Sequence, residues 1–286
     1  MVPDLTSRRR SGENDPTLAA KRQVSTGSFL ARHSVFRLEQ AARAFGHRDR
    51  RATLERLRYH VSTGRLKQVA RGVYARVPAG TDPGKFLPDA YLVARALRPD
   101  AVFSHHSALE LLGAAHSEWN VVTLLTTRRR DALQLDGQSI EFLAPPAALL
   151  RSGRQGLGVR GLDRLGETLR VTGHERTLLD GFRDPAHVGG PAELVESAAG
   201  FPLLDLDLLG GLLEAYGEKR LYAATGWFLE RYQRTFSVPD DFARQLEEKR
   251  PRSPQYLLRG QRGGRLAKRW NLIVPEALLS AEPDES

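Results

Sequence analysis

RHSVFRLEQAARAFGHRDRRATLERLRYHVSTGRLKQVARGVYAR, residues 32–76, holds twelve basic residues against three acids, Glu39, Asp49 and Glu55. Its charge of +9 equals the formal net charge of all 286 residues. Leu38, Ala41, Ala42 and Phe45 recur at helical spacing over residues 36–45, and Gly46 supplies a stop. After the turn His47-Arg48, Asp49 is a natural N-cap for a second helix. Leu54, Leu57 and Val61 give that helix one apolar face, and Thr63-Gly64 ends it. Residues 65–69 and 72–76 then read as two short strands about the turn Ala70-Arg71-Gly72. Helix, helix and hairpin make the outline of a winged helix-turn-helix.

In such units the second helix enters the major groove and its first residues reach base edges. The face opposite Leu54, Leu57 and Val61 presents Arg48, Asp49, Ala52, Glu55, Arg56 and Tyr59, with Arg50 and Arg51 in the first turn, near the flanks of the apolar stripe. Arginine suits this place because its guanidinium bonds guanine in a bidentate manner. The expected base-reading residues are therefore Arg48, Arg50, Arg51 and Arg56. Arg65, Lys67 and Arg71 on the wing would meet phosphates or an adjacent minor groove. Double-stranded DNA is the partner this charge implies, since each cation that meets a phosphate releases a condensed counterion.

The remaining charge is uneven. Residues 77–243 carry 17 bases against 22 acids, whereas residues 244–270 carry nine against two. The second basic island, Arg259, Arg262, Arg265, Lys268 and Arg269, is spaced by glycines and reads as a mobile loop. It is a second nucleic-acid contact by charge density, or else a solvated loop. Residues 270–274 follow as a strand ended by Pro275.

No apolar run approaches the 18 residues or so that a membrane helix needs, so no membrane partner is expected. Cysteine is absent, which removes disulfides, thiolate metal sites and cysteine nucleophiles together. With no apolar signal core near the N-terminus, the expected location is the cytoplasm. Residues 1–31 are polar and read as a flexible tail.

Beyond the turn Asp82-Pro83-Gly84 the chain reads as α+β with a helical second half. Helices are expected over residues 89–97, from a cap at Ser104 or Ser107 to Leu112, from the Thr172–Glu175 capping box through Phe182, and over 192–199, 206–216, 219–233 and 240–249. Strands are expected over residues 120–126, 140–143 and 169–172. Ser104, His105, His106, Ser107 and Glu110 look like catalytic or metal-binding material, but capping serines beside first-turn histidines explain them more simply. Glu175, Arg176 and Asp180 invite a nuclease reading, since acidic residues near a strand end could hold Mg²⁺; a Thr172–Glu175 capping box and an Arg176–Asp180 pair on one helix account for them instead. Gly156, Gly158 and Gly161 lack the strand–turn–helix setting of a dinucleotide site. No enzyme, cofactor or metal is expected.

Four segments carry a resemblance. Gly64-Arg-Leu-Lys-Gln-Val-Ala-Arg-Gly-Val-Tyr74, Ser104-His-His-Ser-Ala-Leu-Glu-Leu-Leu-Gly113, His174-Glu-Arg-Thr-Leu-Leu-Asp180 and Lys268-Arg-Trp-Asn-Leu-Ile-Val-Pro275 resemble, in order, those of AbiEi-family antitoxins. The extension before Phe36 departs from the compact start of that family. The resemblance implies a DNA-binding unit at 32–78 and an antitoxin domain at 79–286. It also implies a bacterial toxin–antitoxin or phage-defence role. The protein would repress its own operon at promoter inverted repeats and neutralise a nucleotidyltransferase-like toxin encoded alongside, with or without touching it. Two other functions compete on the residues alone: a nuclease delivered to DNA by its winged helix, and a transcription factor that senses a small ligand.

Overall fold

A computed structural model describes residues 24–279, Arg48, Arg129, Arg130 and Arg259 excepted. The first unit runs α1 (Thr26–Arg32), β1 (Val35–Arg37), α2 (Leu38–Phe45), α3 (Arg50–Ser62), β2 (Leu66–Ala70) and β3 (Val73–Arg76). Its strands form an antiparallel sheet in the order β1-β3-β2, a winged-helix-like arrangement.

Two expectations change here. Residues 24–31 are not tail: Ser25 caps α1, and Phe29 and Leu30 are buried. The Phe29 ring meets Phe36 at 4.9 Å and Phe45 at 5.3 Å, a clustering hidden by the polar average of the first 31 residues. The rest of the expected tail, residues 1–23, lies outside the described residues. Phe36, expected at the start of a helix, sits in β1 opposite Tyr74. Helix α2 begins two residues later, where Gln40 reaches back to the Arg37 amide.

The second unit is mixed α and β. In order it holds α4 (Ala90–Leu97), β4 (Val102–Phe103), α5 (His106–Leu111), β5 (Val121–Leu125), β6 (Leu133–Leu135), β7 (Gln138–Leu143), α6 (Ala147–Arg151), β8 (Val159–Arg164) and β9 (Glu167–Thr172). These strands make one sheet, β6-β7-β5-β4-β9-β8, parallel only at β5–β7 and β4–β9. Then come α7 (His174–Arg183), α8 (Pro191–Ala199), α9 (Leu206–Tyr216), α10 (Lys219–Arg231) and α11 (Asp240–Lys249). A last small sheet joins β10 (Gln255–Tyr256), β11 (Arg265–Ala267) and β12 (Leu272–Val274) in the order β10-β12-β11. The fold class is thus α+β with a helical second half. No described helix is long and apolar enough to cross a membrane.

The units share apolar packing. Val35, Val73 and Ala75 of the first sheet belong to the same buried cluster as α4 and the central sheet. Helix α4 has seven buried residues because it is covered from both sides. His33 reaches Glu167 at 3.1 Å across the same seam, and Arg95 of the second unit meets that carboxylate at 2.9 Å. The five helices α7–α11 enclose a separate core with Trp270, Leu272 and Val274. There the Trp270 ring lies where a side chain at position 226 would start, so α10 passes close to it only because Gly226 has none.

Candidate nucleic-acid interface

Asp49 caps α3 by accepting from the Arg51 amide at 2.9 Å. The helix turns inward through Thr53 and Leu57, both fully buried, and the Thr53 hydroxyl is satisfied by a ring nitrogen of His47 at 3.0 Å. The apolar face is therefore rotated from the one the hydrophobic spacing implied. Leu54 and Val61 are only half-buried. With Arg50, Arg58, Gln68, Arg71 and Tyr74 they line a groove of about 480 Å³ between α3 and the hairpin.

The expected DNA-contacting residues separate on inspection. Arg50, Arg65 and Arg71 are exposed. Arg51 is also exposed but spans to Glu55 at 3.1 Å. Arg56 lies over the Phe45 ring at 4.8 Å, which fixes its direction without burying it. Arg48 lies outside the described residues. Lys67 is not available as a wing cation: its ammonium donates to the Phe86 carbonyl and to Asp136, each at 2.9 Å. Arg58 was missed. Its signal was its position two helical turns beyond Arg50, on a side first read as flanking the core.

Local electrostatics follow from this crowding. His60 is held below its ordinary value of 6.5 by burial, and then by Arg65 and Arg56. Burial raises Tyr74, while Arg58 and Arg50 pull the other way. Positive charge is thus concentrated around α3 and the base of the hairpin.

The second island is less uniform than its sequence. Arg262, Arg265 and Lys268 are exposed. Arg269 is committed, at 2.7 Å from Glu230 and 3.0 Å from Glu247, and lies 5.0 Å over the Trp270 ring. Those carboxylates raise its pKa further, the Glu230 hydrogen bond most of all. Arg259 lies outside the described residues. The expected mobile loop is in part strand β11, and the expected strand begins at Leu272, since Trp270 belongs to a short 3-10 turn.

The residues that looked catalytic are built into the core. His106 is fully buried, stacks on Trp119 at 4.9 Å, and has its two ring nitrogens 3.2 Å from Glu110 and 3.5 Å from Glu193. Glu110 also accepts from the Tyr91 hydroxyl and the Trp119 amide. Glu193 accepts from the amides of His116 and Ser117 and from the Ser197 hydroxyl. Neither Ser104 nor Ser107 caps α5. Ser107 instead accepts from the Thr123 amide at 2.8 Å, pinning the helix to β5, and His105 occupies the cap at φ 55.

Nor does Thr172 close a capping box. Gly173 is the cap of α7, and Glu175 accepts from the Asp205 amide at 2.9 Å. Arg176 does pair with Asp180, at 3.5 Å with both buried, and donates to the carbonyls of Gln155 and Leu157. Asp180 accepts from the Tyr216 hydroxyl at 2.5 Å. A Cβ on Gly158, whose φ is +66°, would meet Arg176 Cβ at 3.0 Å, so this glycine serves close packing and not a phosphate cradle. Among the described residues no group of three or more His, Asp or Glu side chains could hold a metal ion.

No protein-family model matches the chain, and no curated protein matches it. Among solved structures the chain is similar to the RV2827C protein from Mycobacterium tuberculosis, at 18% identity and a TM-score of 0.55. The match covers 85% of this chain and 87% of that one. The two proteins share a fold over most of both lengths.

Proposed function

We propose that the chain is a cytoplasmic, duplex-DNA-binding repressor that acts as the antitoxin of a bacterial toxin–antitoxin or phage-defence system. One observation carries the DNA-binding part: Arg50, Arg58 and Arg71 line one groove beside an exposed helix face, with no acid among the groove's lining residues. Cations held on a narrow helix and a hairpin suit a major groove and its flanking phosphates. The repressor and antitoxin roles, and a nucleotidyltransferase-like toxin as partner, rest on the resemblance to AbiEi-family antitoxins. The interior partners of Asp180, the Tyr216 hydroxyl and the Arg176 guanidinium, favour this reading over a nuclease, because a metal would have to displace them. The test is a mobility-shift titration of the full chain on the DNA upstream of its own gene, against scrambled DNA. Preference for the upstream duplex that Arg58→Ala removes supports the proposal; equal affinity for both duplexes overturns sequence-specific repression. Growth rescue on co-expression with the adjacent gene tests the antitoxin role.

A further inference from the structure

The small C-terminal sheet presents a surface that duplex binding by α3 leaves unused. Cross-strand register sets Tyr256, Ile273 and Leu266 abreast. Opposed residues share a face of a sheet. Leu272 and Val274, which alternate with Ile273, are buried in the helical core, so the triad faces outward. Tyr256 is 44% exposed and Leu266 40%. An exposed aromatic beside two aliphatics marks a place where something docks more often than a random patch does.

Cations surround this triad in the chain. Arg262 and Arg265 precede Leu266, Lys268 follows it, and Arg252 stands four residues before Tyr256. All four are exposed and make no ion pair among the described residues. The turn that delivers Arg262 and Arg265 demands glycine: Gly263 and Gly264 have φ of +73° and +122°, and a Cβ on Gly264 would meet the Val274 carbonyl at 2.5 Å. Gln261 donates to the Ile273 carbonyl at 3.3 Å, which ties the loop carrying Arg262 to the sheet. Lys249, Arg250 and Arg269 are already paired with acids, so it is Arg252, Arg262 and Lys268 whose charge calls for an anionic occupant.

A flat apolar platform with one ring and a cationic rim fits unpaired polynucleotide, whose bases stack on the ring while its phosphates meet the arginines. Duplex DNA keeps its base faces stacked inside and would leave Tyr256 uncovered. Unpaired polynucleotide in a cell is chiefly RNA. We propose that the outer face of the β10-β12-β11 sheet binds single-stranded RNA, with Tyr256 as the stacking residue and Arg262 and Lys268 as phosphate contacts. This site stands apart from the duplex surface on α3, and neither proposal depends on the other.

The experiment is fluorescence anisotropy of the full chain with a labelled oligouridylate of about twelve nucleotides, a length within the usual span of such platforms. Saturable binding is expected. Tyr256→Ser should weaken it at least about fivefold, the lower end for loss of one stacked base. Tyr256→Phe should keep it, because the ring and not the hydroxyl does the stacking. Arg262→Ala with Lys268→Ala should make the salt dependence shallower. The same variants should bind duplex DNA like the parent, while Arg58→Ala with Arg71→Ala should lose duplex and keep the oligouridylate. Since Tyr256 is exposed, an unchanged thermal melt is expected for Tyr256→Ser. No binding of the oligouridylate, or wild-type affinity in Tyr256→Ser, overturns the proposal. Tighter binding of the matching oligothymidylate overturns the assignment to RNA. A concentration-dependent dimer that Tyr256→Ser abolishes shows that a second copy covers the face, and also overturns it.

Discussion

The ammonium of Lys67 lies 2.9 Å from the carboxylate of Asp136, in the turn between β6 and β7. A basic residue on a wing-like hairpin therefore ties the first unit to the central sheet. Lys67→Ala should leave duplex affinity within about twofold of the parent. It should also lower stability by up to about 1 kcal/mol, the usual ceiling for an ion pair with one exposed partner. Parallel titrations and melts of Lys67→Ala and Arg71→Ala decide this. Equal losses of DNA affinity in the two would return Lys67 to the interface.

The groove cations make a different prediction. If about five phosphates are neutralised, log affinity should fall against log salt with a slope of about −4 to −5. Removing Arg50, Arg58 or Arg71 singly should make the slope shallower by about 0.9 wherever the lost contact was a phosphate. A base-reading arginine should instead cost about 1–3 kcal/mol and relax preference at one position. A wild-type chain whose affinity ignores salt would remove the electrostatic basis of the interface.

Much of this surface was legible in the residues, and its failures have physical causes. Gly46 and Asp49 gave the ends of α2 and α3 because a left-handed stop and a side-chain cap are local events. The rotation of α3 was not local. Thr53 enters the core only because His47 satisfies its hydroxyl, and that contact needs the fold. Likewise nothing near Lys67 in sequence announces Asp136, 69 residues away. Strand β8 went unseen since Gly161, Asp163 and its arginines are edge residues with one exposed face. Strand β4, two residues long, gives no period to read. The buried histidine pair could be doubted as a metal site from sequence, but its partner Glu193 could not be found there.

Histidine burial sets a pH dependence. His105 and His174 are both held below 6.5, chiefly by burial, as is His60. The unfolded chain then takes up these protons more readily than the folded one. Their contribution to stability is intact above about pH 6.5 and is lost as pH falls through the lowered folded values. The urea midpoint should therefore drop between pH 7.5 and pH 5 or so. His105→Asn, which keeps a residue tolerant of positive φ, should flatten the drop. A midpoint that rises on acidification would contradict the sign.

Arg176 supplies a test of the architectural reading. Its guanidinium holds two carbonyls and faces Asp180, all inside the core. Arg176→Met should cost about 3–5 kcal/mol, because it strands a buried carboxylate. Adding Asp180→Leu should recover part of that loss. Denaturant titration reads both variants, and wild-type stability in Arg176→Met would show that the pair supports nothing.

The charge split between residues 32–76 and the acidic stretch 77–243 suggests units that could be separated, and the packing at their seam limits how cleanly. Val35 and Val73 are 5% and 3% exposed, and Ala75 is fully buried, in the cluster that also holds α4. Cutting away residues 1–78 strips one covering from a helix with seven buried residues. It also leaves Glu167 without its contact to His33. The fragment 79–286 should lose duplex binding entirely, since every groove arginine goes with the cut. It should still form its helical core, because that cluster draws no residue from the first unit. Its melt should nonetheless begin lower than that of the full chain, with new binding of a hydrophobic dye to the bared α4 surface. Restoring the melt by polar substitutions at the residues of α4 that face β1 and β3 would confirm that the exposed helix is the cause. A fragment that melts with the full chain and binds no dye would show that the seam contributes nothing. Residual duplex binding by the fragment would be more damaging, because it would shift DNA recognition from α3 to the cations near β11.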